Sequence, residues 1–254
     1  MKSRIFFLMM MQICFLSHVL AQDTSKFGSF YDKNEHALMT EYFEFLKLPN
    51  TFNDRQMLDV NANFIIGMLR KAGIEGKLMY DKNKKSVPAV YGEYIHSPEA
   101  ITIIFYAHYD GQPVNPTNWH QGLDPFKPQL VSDRLDRGGK MIPFPEKGQK
   151  FDHKWRIYGR ASADDKAGVY SIIKAFQAIK DMGLKPIINI KFFFEGEEEN
   201  GSVNLEAILE HNKEALKSDL WVICDGPMPA TGQKQITYGV RGDVNMHLTV
   251  YGPK

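Results

Sequence analysis

The chain has 254 residues, which is enough to bury a sizeable core and to form one large domain or two modest ones. Its formal net charge is +1, with 24% charged and 43% hydrophobic residues, a composition typical of globular proteins. Because basic residues are not in excess, the composition predicts no nucleic-acid partner.

The first 21 residues have the pattern of a secretory signal peptide. Lys2 and Arg4 precede a short apolar run, and Ala21 ends a stretch of small and aliphatic residues suited to signal-peptide cleavage. A membrane anchor is the alternative, but the apolar run is short and is interrupted by Gln12, Ser17 and His18. The sequence therefore predicts cleavage after Ala21, a secreted or periplasmic protein, and no stable membrane insertion of the mature chain.

Cleavage after Ala21 would remove Lys2, Arg4 and Cys14. The 31 basic residues would fall by two to 29, against 30 acidic residues, which gives a net charge of −1. Cys224 would be the one remaining cysteine, so an internal disulfide is excluded. Stability must then come from packing or from a bound metal, and Cys224 is interpreted as a packing residue.

Helical spacing of apolar residues predicts two helices near the N-terminus, at 31–47 and 53–72. The apolar stripe of the second helix comprises Met57, Val60, Phe64, Ile65 and Met68. Three strands are predicted next, at 77–81, 87–95 and 100–110. The last strand is a continuous apolar run, which is typical of a strand covered on both faces.

Residues 111–154 are rich in Pro, Gly and mixed charge and are predicted to form a long irregular stretch, of a length that is usually functional or mobile. A helix is predicted at 164–183, a strand at 185–195, a helix at 204–216 and a strand at 218–225. This alternation predicts an α/β fold with a largely parallel sheet flanked by helices. Residues 236–254 have the pattern of strands that start a further unit.

Acidic residues and one histidine follow the predicted strands, at the edge where α/β sheets bind ligands. His108 and Asp110 follow one strand, a run of glutamates follows another, Asp225 follows a third, and Asp164 and Asp165 begin a helix. Each feature alone has an ordinary interpretation: a surface His-X-Asp pair, a helix N-cap at Asp164, or a solvated acidic run. Together they place several negative charges at one edge of the sheet.

A divalent metal ion is the simplest source of the positive charge that such a cluster requires. Imidazole and carboxylate ligands without a thiolate cluster fit Zn²⁺, with Mn²⁺ or Co²⁺ as alternatives. The number of acids suggests two ions, which lie about 3.5–4 Å apart when a carboxylate bridges them. His108 and Asp110 are two residues apart on a strand and point to one face, as a metal ligand and the carboxylate that holds its imidazole would.

Five motifs follow one another along the chain: HYDGQP (108–113), DPFKPQL (124–130), YGRASADDKAG (158–168), FEGEEENGS (194–202) and CDGP (224–227). They resemble the motifs of the aminoacylase/carnosinase-type zinc metallopeptidases, most closely the dipeptidase-like branch. The resemblance covers about residues 35–254. It implies that residues 22–235 form the N-terminal part of a catalytic metallopeptidase domain and that residues 236–254 begin an α+β lid, or dimerisation, domain.

The resemblance also implies roles for the site residues. The residues that resemble metal ligands are His108, Asp164, Glu199 and Asp225. Asp164 is expected to bridge the two ions, and Asp110 to orient His108. Glu198 resembles the general base, which takes a proton from the metal-activated water and passes it to the leaving amine. Glu195 and Glu197 are expected to lie outside the ligand set, as supporting or solvated residues.

The implied activity is hydrolysis of a peptide or amide bond in a small peptide, such as a dipeptide, or in an N-acyl amino acid, by an enzyme that forms a homodimer through its lid. A non-catalytic binding member or a decaying fragment of the same family is one alternative, and an unrelated zinc aminopeptidase with a similar two-metal site is another. The retained acids argue against decay, and the HYDGQP motif argues against the unrelated enzyme.

Three features depart from the family pattern. Neither the lid histidine that helps to hold the oxyanion nor the last metal-binding histidine is present, so the 254 residues are expected to lack the C-terminal half and to be inactive alone. His120 and His153 are interpreted as surface residues, and His211 and His247 are not proposed as ligands. Residues 131–154 are a longer link than the family pattern predicts and are interpreted as a surface excursion. Ala161 stands where the family commonly has glycine.

Overall fold

A computed structural model describes residues 25–226, 233, 235–239, 242, 244 and 246–252 of the chain. The predicted signal peptide lies outside these residues. Within them, no helix combines the length and the apolar character that a membrane-spanning segment requires.

The helices and strands agree with most of the predicted elements. The α-helices of the described residues are α1 (Ser25–Leu46), α2 (Arg55–Lys71), α3 (Lys166–Asp181) and α4 (Leu205–His211). Their strands are β1 (Gly76–Met79), β2 (Ala89–Tyr94), β3 (Thr102–His108), β4 (Gln129–Val131), β5 (Met141–Ile142), β6 (Arg156–Tyr158), β7 (Asn189–Glu195) and β8 (Leu220–Ile223). Short 3₁₀ turns occur at Pro116–Asn118, Leu135–Arg137 and Glu198–Asn200.

Five strands form the main sheet in the order β1-β2-β7-β3-β8. β7 and β8 run parallel to β3, whereas β2 runs antiparallel to both β1 and β7. Four strands therefore point one way and β2 the other, which confirms the predicted α/β fold with a largely parallel sheet. β7 lies at the centre and all of its residues are buried, which explains its continuous apolar sequence.

The three phenylalanines of β7 contribute to separate cores on the two faces of the sheet. Phe192 and Phe194 pack in a cluster with buried side chains of α1, α2 and α3. Phe193 packs in a smaller cluster with Ile208 of α4. Because successive strand side chains point to opposite faces, helices flank both faces of the sheet, as predicted.

The buried face of α2 differs from the predicted stripe. The helix begins at Asp54, whose carboxylate accepts a hydrogen bond from the amide of Met57 at 3.1 Å. Val60 is 40% exposed. The buried residues are Leu58, Asn61, Ala62, Ile65, Met68 and Leu69. Both the predicted set and the buried set of residues recur at helical spacing in this segment. The position of the sheet decides which set is buried.

Residues 111–154 are less irregular than predicted. β4, β5 and β6 form a small antiparallel sheet with β4 at its centre. Phe144, between β5 and β6, lies with its ring 4.8 Å from the ring of Phe43 and 5.6 Å from that of His36, both in α1. Phe144 therefore docks the segment 131–154 on α1. Most residues of the segment are exposed, as expected for a surface excursion, but the strand β5 within it was not predicted.

The predicted strands of residues 236–254 are not found among the described residues of that segment. Residues 235–239 and 246–252 lie outside any strand. Exposed apolar side chains in the segment include Ile236, Tyr238, Met246, Leu248 and Val250. The start of a lid domain in this segment stays a prediction.

Candidate metal centre

The carboxyl ends of β3, β7 and β8 lie at one edge of the main sheet, because these strands are parallel. His108 ends β3 and is paired with Glu195, which ends β7. Asp225 follows β8, and Asp164 precedes α3. The predicted site residues that this edge brings together are His108, Asp110, Asp164, Glu198, Glu199 and Asp225.

His108 is fully buried and is surrounded by carboxylates. Its Nε2 atom lies 2.9 Å from Asp164 Oδ1, 3.7 Å from Asp225 Oδ2 and 3.8 Å from Glu198 Oε2. Its Nδ1 atom lies 3.3 Å from Asp110 Oδ1. That approach lacks the angle of a hydrogen bond, and Nδ1 has no hydrogen-bonding partner among the described residues. Asp110 thus faces one ring nitrogen while the other three carboxylates face the second.

Asp110 connects the end of β3 to the turn that carries the two candidate glutamates. Its Oδ1 atom accepts a hydrogen bond from the amide of Glu198 at 3.2 Å, and its Oδ2 atom accepts one from the amide of Glu199 at 3.0 Å. The side-chain amide of Gln112 donates to the carbonyl of Glu199 at 2.7 Å, a contact that the sequence did not reveal. None of these bonds uses a glutamate carboxylate, so they hold the turn without occupying its acidic groups.

Two sets of three side chains have the spacing of a metal site. One set is His108, Glu198 and Asp225, and the other is His108, Asp164 and Glu199. In each set the candidate ligand atoms lie within 4.8 Å of one another. Glu198, the predicted base, stands in the first set beside the predicted ligands. These distances do not separate a ligand from a base, so the individual roles stay predictions.

Negative charge in the cluster is balanced only by His108 among the described residues, since no lysine or arginine there forms an ion pair with these carboxylates. Burial and neighbouring carboxylates raise the pKa of Glu198 and of Asp225, while His108 lowers both. Burial lowers the pKa of His108, but its acidic neighbours, Asp110 first, outweigh burial and raise that pKa to about 10. The cluster by itself therefore retains protons that a bound cation would displace.

The adjacent residues Asp164 and Asp165 occupy different positions. Asp165 caps α3: its buried carboxylate accepts hydrogen bonds from the amides of Gly168 at 3.0 Å and His108 at 3.3 Å. Burial raises the pKa of Asp165 to about 7, an effect that His108 opposes. The side chain of Asp164 is 68% exposed and faces His108. The interpretation of Asp164 as the N-cap is therefore wrong.

Glu195 and Glu197 are buried rather than solvated. The hydroxyl of Tyr106 donates to Glu195 Oε2 at 2.7 Å. Glu197 accepts hydrogen bonds from the side-chain amide of Asn204 at 2.9 and 3.0 Å and from the amide of Val87 at 3.3 Å. Both glutamates stand outside the two candidate ligand sets and support the turn that carries Glu198.

The remaining candidates agree with their sequence interpretations. His120 and His153 are exposed. Cys224 is half-buried, and burial raises the pKa of its thiol to about 11, which keeps the thiol protonated as a packing group. A cavity of about 970 Å³ adjoins the site: Asp164, Asp225 and apolar side chains such as Phe105 and Phe176 line it.

A model of peptidase family M20/M25/M40 matches residues 104–253. The Cys-Gly metallodipeptidase dug1 of Schizosaccharomyces pombe is 28% identical over 234 residues, which covers 87% of this chain and 44% of that protein. The Beta-Ala-His dipeptidase of Homo sapiens is 32% identical over 158 residues, or 61% of this chain and 27% of that protein.

A solved structure gives the same result. The crystal structure of an M20 family metallo-carboxypeptidase from Sulfolobus solfataricus has a TM-score of 0.60 and 27% identity, and covers 77% of this chain and 39% of that one. The chain thus spans less than half the length of each of these relatives. The family match takes in the motifs from HYDGQP to CDGP, and the two dipeptidases confirm the resemblance to a dipeptidase-like branch. The chain belongs to peptidase family M20/M25/M40.

Proposed function

We propose that this chain carries the metal-binding part of a hydrolase that cleaves a peptide or amide bond in a dipeptide or an N-acyl amino acid. The observation that carries the proposal is the buried imidazole of His108, with carboxylate oxygens of Asp164, Asp225 and Glu198 at 2.9, 3.7 and 3.8 Å from Nε2. The relatives named as Cys-Gly and Beta-Ala-His dipeptidases support a dipeptide as the substrate class.

The donor set fits zinc, with manganese or cobalt as alternatives. It combines one imidazole with carboxylate oxygens, and Cys224 stands outside it. A bound ion lowers the pKa of a water molecule towards about 7 and polarises the scissile carbonyl. His108 belongs to both candidate sets, and its Nε2 atom can bind only one ion. With Glu198 kept as the base and Asp164 shared, the described residues would supply three ligands for one ion, namely His108, Asp164 and Asp225, and only two for a second, namely Asp164 and Glu199.

This shortage of ligands has a consequence for activity. Catalytic zinc usually has three protein ligands. We expect the 254-residue chain to bind one ion tightly and a second ion weakly, and hence to be inactive when it is alone. Two ions remain the proposal for the hydrolase.

Glu198 is the proposed general base. Its side chain is 39% exposed, so water can reach the carboxylate. Asp110 holds the amide of Glu198 at 3.2 Å and thereby fixes the start of its side chain. The carboxylate accepts a proton from the attacking water and delivers it to the leaving amine. Asp110 also faces Nδ1 of His108, where it restrains the orientation of the imidazole.

Secretion and dimerisation are part of the same proposal. The pattern of residues 1–21 supports export, and N-terminal sequencing of the natural protein should begin at Gln22. A mature protein that begins at Met1 would contradict it. The apolar residues of the segment 236–254 support a homodimer formed through a lid, which sedimentation of the natural protein would detect.

The test combines metal analysis with a conservative substitution. After dialysis, the chain should retain about one zinc ion, and the natural protein loaded with zinc should hydrolyse Cys-Gly or β-Ala-His. Glu198→Gln should keep the zinc and lose about 100-fold or more of this hydrolysis, the usual contribution of a general base. The exposed Glu210 provides the matched control, since Glu210→Gln should change neither quantity.

Three other outcomes are decisive. Undiminished hydrolysis by Glu198→Gln would overturn the base assignment. Loss of zinc from Glu198→Gln would make Glu198 a ligand instead. Zinc binding by the natural protein without hydrolysis, even when the second ion is supplied in excess, would favour a non-catalytic binding member of the family.

A further inference from the structure

Tyr109 separates the two residues of the HYD sequence that face the metal centre, and it points the other way. Its side chain is fully buried. Its hydroxyl donates a hydrogen bond to the carbonyl of Pro88 at 2.5 Å. Its amide donates to the carbonyl of Glu195 at 2.8 Å, and its carbonyl accepts from the side-chain amide of Asn50 at 2.8 Å. Tyr109 is therefore held at its backbone and at the end of its ring.

The tip of the Tyr109 ring lies directly against Gly196. A Cβ atom at position 196 would overlap the tyrosine hydroxyl and would lie 2.5 Å from Cζ of Tyr109 and 2.7 Å from Cγ1 of Val87. Real Cβ atoms essentially never come closer than about 3 Å to such neighbours. Gly196 is not among the glycines with positive φ. Position 196 requires glycine because a side chain would overlap its neighbours. Its backbone conformation would allow other residues.

This contact joins the two chain segments that form the metal centre. His108 and Asp110 flank Tyr109 at the end of β3. Gly196 lies two residues before Glu198, in the turn whose amides bind Asp110 at 3.2 and 3.0 Å. A shift of Gly196 away from the ring would therefore change the position of the glutamates relative to His108, because the turn is short and hydrogen-bonded.

We propose that Tyr109 and Gly196 are positioning residues: the contact between ring and glycine sets the distance between the His108 strand end and the Glu198–Glu199 turn, and so sets the metal affinity of the centre. Neither residue belongs to the two candidate ligand sets. The inference rests on the proposed function in one respect, that His108 and the carboxylates bind a divalent cation.

Titration with Co²⁺ tests the inference without any measurement of activity, because its visible absorption reports both affinity and ligand geometry. Gly196→Ala should weaken Co²⁺ binding about tenfold or more and change the absorption bands, since disturbing residues behind metal ligands typically costs 10- to 100-fold in affinity. Gly67→Ala, in α2 with open space around the added Cβ, is the matched control and should stay within about twofold.

Two tyrosine variants identify what the ring contributes. Tyr109→Phe keeps the ring and loses the hydroxyl, and should bind Co²⁺ within about threefold of the wild type when the ring is the spacer. Tyr109→Leu removes the tip of the ring and should weaken binding. The double variant Gly196→Ala/Tyr109→Leu should bind Co²⁺ more tightly than Gly196→Ala alone, because the two nearest overlapping atoms belong to Tyr109 and only Cγ1 of Val87 remains close.

Circular dichroism of each metal-free variant distinguishes a local shift from unfolding. A folded Gly196→Ala protein with wild-type Co²⁺ affinity and absorption would overturn the positioning role and leave the proposed metal centre intact. Weakened binding that only matches the unfolded fraction would also overturn it. Absence of Co²⁺ binding in the wild type would overturn the metal centre itself, and the positioning role with it.

Discussion

Lys166 follows the two aspartates of the centre and is fully buried at the start of α3. Its side-chain nitrogen donates hydrogen bonds to the carbonyl of Phe45, in the last turn of α1, at 2.9 Å and to the carbonyl of Leu48, just after α1, at 2.7 Å. It also lies 4.6 Å from the centre of the Phe45 ring. Burial lowers the pKa of Lys166 far below its usual value. The role that fits these contacts is to join the start of α3 to the end of α1.

We predict that Lys166→Met reduces the free energy of unfolding by about 1–3 kcal/mol, because the buried carbonyl of Phe45 and the part-buried carbonyl of Leu48 each lose a hydrogen bond. Urea unfolding measures the change. Lys213→Met is the matched control: Lys213 is on the surface, paired with Glu210, and its loss should change stability by less than about 0.5 kcal/mol. Equal effects of the two substitutions would contradict the structural role of Lys166.

Individual residues also show what the sequence alone cannot predict. Asp164 and Asp165 are chemically identical, and both are suited to an N-cap, so the residues by themselves left open which one faces the site, and only the family resemblance pointed to Asp164. The answer depends on the residue at which α3 begins, and Lys166 is that residue. Gly196 is a second example. A side chain at this position would overlap Tyr109, which is distant in the sequence, so the sequence alone does not show that glycine is required.

Helices and central strands were predictable because their apolar residues recur over several turns or form a long run. β7 and α3 are the clearest cases, and both are found where the sequence predicts them. β4, β5 and β6 have only two or three residues each, which is too short for an alternating pattern to be recognised. Their pairing and their contact with α1 depend on distant residues such as Phe144.

Glu41 links three helices through two ion pairs. In α1, its carboxylate pairs with Lys174 of α3, and it lies 2.7 Å from Nζ of Lys71 in α2. Burial raises the pKa of Glu41, but hydrogen bonds from Lys174 and Lys71 outweigh burial and lower it below 4.5. The carboxylate therefore stabilises the fold fully above about pH 4.5, and this contribution disappears as the pH falls through the folded-state pKa.

We predict that Glu41→Gln lowers the free energy of unfolding by about 1–2 kcal/mol at pH 7, a value reduced for the partial exposure of the group. The difference from the wild type should shrink as the pH falls from 5 to 3. Urea unfolding across this range measures it. Glu44→Gln breaks an exposed pair with Lys47 and should cost less than about 0.5 kcal/mol at any pH. A constant difference for Glu41→Gln at all pH values would refute the ionic contribution.

At the scale of the whole molecule, the fold brings several carboxylates together at one edge of the sheet, and His108 is their only ion-pair partner among the described residues. Parallel strands place His108, Glu195 and Asp225 at one edge, and α3 and the turn after β7 add further acids. The sequence could predict this convergence, because the carboxyl ends of parallel strands must lie together. It could not predict that Glu195 and Glu197 are buried supports, because adjacent acids in one turn differ only in the partners that the fold provides.

Metal binding should therefore stabilise the whole fold. A ligand present at about 100 times its dissociation constant adds about 2.7 kcal/mol. For a chain of this size, each kcal/mol raises Tm by about 2–4 °C, so zinc should raise Tm by about 5–10 °C, and EDTA should reverse the rise. Differential scanning fluorimetry of the zinc-free and zinc-loaded chain measures the shift.

Asp225→Asn should show whether the carboxylate of Asp225 is a metal ligand or a structural acid. Asp225 lies 3.7 Å from His108 Nε2, and burial together with neighbouring acids raises its pKa, so its charge is unfavourable when no cation is present. The substitution should leave Tm of the zinc-free chain equal to or above that of the wild type, and should reduce the rise caused by zinc to less than half. Asp136→Asn, which affects only an exposed pair with Arg134, should retain the full rise. If Asp225→Asn lowered Tm of the zinc-free chain and kept the full rise with zinc, Asp225 would be a structural acid. Loss of a metal ligand should instead leave Tm of the zinc-free chain unchanged or higher and make the rise smaller.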